Sequence, residues 1–158
     1  MDEVLLVRSF SAHPWKVFNA WIYPSLLAHW WGPEGTTHSV CKVDPTRGGE
    51  IYLETKDREG ASYFTSGHFV LIDQPEQIVF TTKQYLDENQ EVLLKLRHTV
   101  IFLPEGYKTR LTLHSVVMRS TERAVPWIHQ MEEGWQESFD KLEKLLIRLR
   151  ISCFHYPR

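Results

Sequence analysis

The feature that most constrains the fold is a stripe of apolar side chains near the C-terminal end. Ile128, Met131, Trp135, Phe139, Leu142, Leu145, Leu146 and Leu149 recur at three- and four-residue steps, the spacing of an amphipathic helix. Glu137 with Lys141, and Asp140 with Lys144, stand four apart in the favoured order. Together with Glu132 and Glu133, the Glu137 and Lys141 side chains read as the solvated face. The spacing predicts one helix from about Thr121 to Arg150, roughly 35–40 Å long at 1.5 Å per residue. That is long enough to cross a whole curved sheet.

A sheet is what the preceding residues supply. From residue 36 to 117, short β-branched and aromatic runs alternate with turn signals at Gly48-Gly49, Glu59-Gly60, Gln74-Pro75, Asp87-Glu88-Asn89 and Pro104-Glu105-Gly106. Six strands are expected at about 37–43, 50–56, 62–73, 77–84, 92–103 and 108–117. With no helix between them they form an antiparallel meander. Residues 3–10 read as a further strand. Ser11 and Pro14 then open a short helix carrying Val17, Phe18 and Trp21, and Pro24 opens a second that Gly32-Pro33 must end. The expected class is α+β, a seven-stranded curved antiparallel sheet around a long C-terminal helix, with two short helices between strands 1 and 2. Residues 1–150 are expected to form one domain and 151–158 a tail.

Composition narrows the function classes. Lys and Arg number 18 against 20 Asp and Glu, a formal charge of −2, so no basic excess awaits phosphates and nucleic acid is not an expected partner. The N-terminus lacks the pattern of a signal peptide, and no apolar run is long enough to span a bilayer. Cys41 and Cys153 alone make no disulfide framework, so a cytoplasmic setting is expected. Aromatic residues reach 13%, with six Trp, which fits a dense core, a ring-lined cavity or an interface.

Several strings, in order, carry a resemblance: VFNAWIYPSLLAHWWGP at 17–33, RGG at 47–49, LID followed by PEQIVFTT across 71–82, TRLTL at 109–113 and GWQESFDKLEKLL at 134–146. Over residues 3–149 the chain resembles the START-like, helix-grip superfamily, in the branch named for the activator of the heat-shock chaperone ATPase. Tyr23 departs from the Asp usual before Pro24, which weakens that helix start. The superfamily includes lipid and polyketide binders, cyclases, proteins that sequester reactive antibiotics, and co-chaperone domains. The resemblance therefore implies a fold and leaves the activity to be argued from a site.

Side-chain parity points to that site. Leu94, Leu96, His98, Val100 and Phe102 share the face expected to meet the helix; Ile51, Leu53, Ile78, Phe80, Leu111 and Leu113 join them, opposite Met131 and Trp135. His68 faces inward if the register runs back unbroken from Ile72. His98 is either a ligand contact or a core histidine satisfied by neighbours, and Trp30 and Trp31 form either a cavity lid or a plug. Gly134, costly inside a helix, suggests a close approach of helix to sheet.

The candidate ligand-binding residues are Trp30, Ile51, Leu53, His68, Phe80, His98, Val100, Phe102, Leu111, Leu113, Met131 and Trp135. No metal-ligand spacing, nucleophile elbow or phosphate loop occurs, so no cofactor, metal or catalytic residue is assigned. The first expectation is a non-enzymatic domain binding a small, largely apolar or aromatic ligand between the sheet and the helix. The alternatives are a co-chaperone-like domain acting on a heat-shock chaperone ATPase, and a cyclase or hydrolase using a cavity His. Monomer and homodimer both stand open, with Phe154 and Tyr156 as candidate dimer contacts.

Overall fold

The computed structural model describes residues 2–86 and 91–151. The expected turn at Asp87-Glu88-Asn89, and Cys153, Phe154 and Tyr156, lie outside the described residues. Strand β1 (Glu3–Phe10) leads into helices α1 (Pro14–Ile22) and α2 (Pro24–Trp30). There follow β2 (Thr37–Val43), β3 (Glu50–Lys56), β4 (Ser62–Asp73), β5 (Gln77–Tyr85), β6 (Leu94–Glu105) and β7 (Lys108–Ser120), a one-turn helix (Glu122–Ala124), α3 (Val125–His129) and α4 (Met131–Ile151). The seven strands form one antiparallel sheet in the order β1-β7-β6-β5-β4-β3-β2. It is a meander whose first strand returns to lie beside the last. Register shifts at His38/Val40, Phe69/Leu71 and Lys95/Leu96 add the local bend and twist of β-bulges.

The C-terminal helix departs from expectation. It breaks at Gln130, whose φ of −100° and ψ of 1° separate α3 from α4. Pro126 sits in the first turn of α3, where its missing N–H costs nothing, and the apolar spacing across 128–131 runs over the break between the two helices. Neither short helix is capped by a side chain: His13 and Tyr23 are the N-cap residues of α1 and α2, and neither bonds the first turn. The prolines and the burial of Phe18, Trp21, Leu26, Leu27 and Trp30 hold these helices instead.

Parity describes most of the inner face. Ile51, Leu53, Ile78, Phe80, Val100, Phe102, Leu111 and Leu113 are all buried. His68 is the correction: it is exposed, and Phe69 is buried in its place. Phe69 pairs with Phe80 and Ile72 with Ile78, both inward partners, so the bulge at Val70 puts two inward residues three apart. Counting back from Ile72 through a bulge gives the wrong face.

The solvated face of α4 is also revised. Asp140 pairs with Arg8 of β1 at 2.8 Å instead of Lys144. Glu137 and Lys141 are partly buried and reach the loop after α2. Gly134 meets that same loop, where a Cβ would stand 3.3 Å from Pro33 Cγ. The close approach is therefore to the loop and not to the sheet.

Candidate functional site

The inner face of the sheet is filled along most of its length. Trp21 lies within 6.3 Å, centroid to centroid, of Trp30, Phe80, Phe102, Trp135 and Phe139. Trp30 is fully buried, with its indole N–H donating to the Ala20 carbonyl at 2.9 Å. It is a plug. Ile51, Leu53 and Phe80 border a void of only about 10 Å³, room for at most about one water. Together with Val100, Phe102, Leu111 and Leu113 they stand in closed core.

Beyond this core lies a second, smaller cluster of Leu93, Leu94, Leu96, Val117 and Ala124, with Trp127, Ile128 and Met131 packed on it. Between the two clusters opens a cavity of about 340 Å³. Its floor is the inner face of β5 and β6: Thr82, Gln84, Leu94, Leu96 and His98. Its roof is Trp127 of α3 with Met131, Gly134, Trp135 and Ser138 of α4. Trp31 and the loop through Thr36 close one side, and Tyr63 with the turn at residues 57–59 closes the other. Of the expected ligand-binding residues, His98, Met131 and Trp135 come together here.

Sequence reasoning had a signal for part of the remainder. Leu94 and Leu96 share His98's parity, and Thr82 and Gln84 continue that of Phe80. Parity assigns a face but not a position along it. Trp127 had no such signal, because the helix was expected to run through it unbroken.

His98 forms the deep end of the floor. Its Nε2 lies 2.9 Å from Thr82 Oγ1 and its Nδ1 2.7 Å from Ser115 Oγ, one hydroxyl from each neighbouring strand. A neutral imidazole donates from one nitrogen and accepts at the other, and two hydroxyls satisfy both. Phe80, Trp135 and Trp31 surround the ring at centroid distances of 4.6, 5.7 and 6.4 Å. Burial pushes its pKa down to about 3, so it is uncharged at neutral pH and poorly matched to proton transfer there.

The loop carrying Trp31 is fastened from three directions. His38 bridges the Trp31 carbonyl at 2.7 Å and Thr55 Oγ1 at 2.8 Å, so its Nε2 donates and Nδ1 accepts when neutral. Burial lowers its pKa, opposed by the Trp31 hydrogen bond and aided by the charge of Lys141. Lys141 Nζ donates to the Pro33 carbonyl at 3.1 Å, and the Glu137 carboxylate accepts the Glu34 N–H at 2.9 Å. Gly32, at φ 94°, makes the turn that an L side chain resists. The cavity wall is thus anchored to α4 and β2.

Among the described residues no group of three or more His, Cys, Asp or Glu side chains could hold a metal ion. The Cys41 thiol is pushed up to about 11 by burial, far from an activated nucleophile. The carboxylates at the cavity, Glu34, Asp57 and Glu59, belong to the loops at its mouth. No helix among the described residues is long and apolar enough to cross a membrane.

This arrangement of a curled sheet, paired short helices and a gripped terminal helix has known counterparts. The family model for Activator of Hsp90 ATPase homolog 1-like proteins matches residues 11–147. The chain belongs to this family. The AHSA1 protein of Silicibacter pomeroyi is 28% identical over 92% of this chain and 97% of its own, with a TM-score of 0.74. A protein from Arthrobacter aurescens superposes at a TM-score of 0.80, with 24% identity over 92% of this chain and 86% of its own. One from Nitrosomonas europaea gives 0.78, with 24% identity over 95% and 97%. No curated protein matches the chain by sequence. Family membership fixes a START-like, helix-grip fold, and the chemistry of the cavity must be argued from its own residues.

Proposed function

We propose that the protein binds a small, largely apolar or aromatic molecule in the cavity between β5–β6 and the N-terminal end of α4. The cavity carries this reading. About 340 Å³ falls within the range of ligand sites, roughly 300–1,000 Å³, in a chain whose core is otherwise closely filled. Its apolar wall offers Trp31, Trp127 and Trp135, and its floor offers a few placed polar groups, the usual composition of a ligand pocket. His98, uncharged and twice hydrogen-bonded, favours binding over acid–base chemistry. A reducing, cytoplasmic setting suits the half-buried Cys41 thiol.

Native mass spectrometry of the protein purified from its own host tests this reading. A reproducible extra mass that leaves on denaturation is the expected result. Empty protein, together with a rise in a heat-shock chaperone's ATP turnover when it is added, would instead favour the partner that the family's name suggests.

A further inference from the structure

Resting on the binding reading above, we infer that the cavity selects an uncharged aromatic molecule with a hydrogen-bonding hydroxyl or carbonyl edge, read by Gln84 and Tyr63. The Gln84 side-chain amide and the Tyr63 hydroxyl belong to partly buried residues that border the cavity. Directly opposite Gln84 in the sheet register stands Thr65, behind the cavity lining, whose fully buried hydroxyl has no partner among the described residues. An amide and a phenol facing a largely apolar cavity give a ligand's polar edge directional partners. The facing wall is made of rings: Trp127 packs on Tyr63 at 5.3 Å, and Trp31 meets Trp135 at 5.2 Å. A flat ring with its polar edge toward β4 and β5 meets both surfaces.

The charges around the cavity argue against an anion. His98 at the deep end is uncharged, and burial together with Asp57 pushes the Tyr63 phenol up to about 12; the same carboxylate opposes a ligand anion. Glu34 and Glu59 also stand at the mouth. The cations nearby are already engaged: Arg58 is exposed and pairs with Glu59 at 3.5 Å, and Lys141 donates to the Pro33 carbonyl beside Glu34 and Glu137. The N-terminus of α4 could attract an anion, yet Glu132 and Glu133 occupy its first turn and the Gly134 N–H donates to the Gln130 carbonyl.

Three probes with one ring system separate the claims: 2-naphthol, naphthalene and 2-naphthoate, titrated at pH 7 into the full chain by tryptophan fluorescence. The expected order is 2-naphthol tightest, with 2-naphthoate at least tenfold weaker. Gln84→Leu and Tyr63→Phe should each weaken 2-naphthol about tenfold and leave naphthalene within twofold, which also shows that the variants are folded. Equal or tighter binding of 2-naphthoate, or 2-naphthol affinity unchanged in both variants, would overturn the inference while leaving the cavity reading intact. If none of the three binds the unaltered chain, the cavity reading fails, and this inference with it.

Discussion

At the residue scale, His98 accounts for most of what is unusual. A histidine whose folded pKa is about 3, against about 6.5 in the unfolded chain, binds fewer protons when folded. Its contribution to stability is complete above pH 6.5 and is lost as pH falls toward 3, by up to about 1.4 kcal/mol per pH unit. His38, lowered as well, acts in the same sense. Chemical denaturation between pH 8 and 4 should therefore show stability falling with acidity. The His98 imidazole should give no NMR titration between pH 5 and 8. His98→Leu strands two hydroxyls, one of them on fully buried Ser115, and should cost about 3 kcal/mol, read from the denaturation midpoint. The sequence put His98 on the inner face because its parity with Leu96 and Val100 is unbroken. It did not reveal the flanking hydroxyls, since Thr82 and Ser115 come from strands whose mutual register only the folded sheet defines. His68 faces out for a related reason: four apolar residues in succession at 69–72 signal that a bulge can occur, and only the folded sheet shows that it falls at Val70.

At the scale of elements, the decisive contact is between α4 and the loop that carries Trp31. The i, i+4 spacing of Glu137 and Lys141 looks like ordinary helix-surface pairing, and both side chains instead hold the backbone at Pro33 and Glu34. Long-range use of a helix charge leaves no trace in local spacing. Lys141→Met removes the donor to the Pro33 carbonyl and should cost about 1 kcal/mol. Amide hydrogen exchange should quicken at Glu34 and Thr36 and stay unchanged in β6 and β7. Most strand bounds were legible because turn signals bracket the runs, while β6 lies two residues later than expected and β7 ends three residues later. The break at Gln130 was not, because apolar residues on both sides keep helical spacing.

At the scale of the molecule, the fold is a sheet gripping a helix, and the vacant space is displaced toward one end of that grip. Rings from α1, α2 and α4 fill the middle. The gap survives where the chain passes from α3 to α4 and two separate core clusters fail to meet. Met131 packs against both clusters and lines the cavity. Met131→Trp should fill the space, raising stability by up to about 1 kcal/mol as cavity-filling changes do and weakening 2-naphthol at least tenfold in a fluorescence titration. Volume is a difference between large packed quantities, which is why a sequence that announced an inner face so clearly gave no indication of where along it the packing would fail.

The central claim is that ligands enter this end cavity and not the ring-filled middle. The most direct measurement is NMR mapping of the isotope-labelled chain titrated with 2-naphthol. Shift changes should concentrate at Trp31, Thr82, Leu96, Met131 and Trp135. Changes centred instead on Leu53, Val100, Leu111 and Leu113, or on the exposed outer-face residues Leu5 and Val7, would contradict the account.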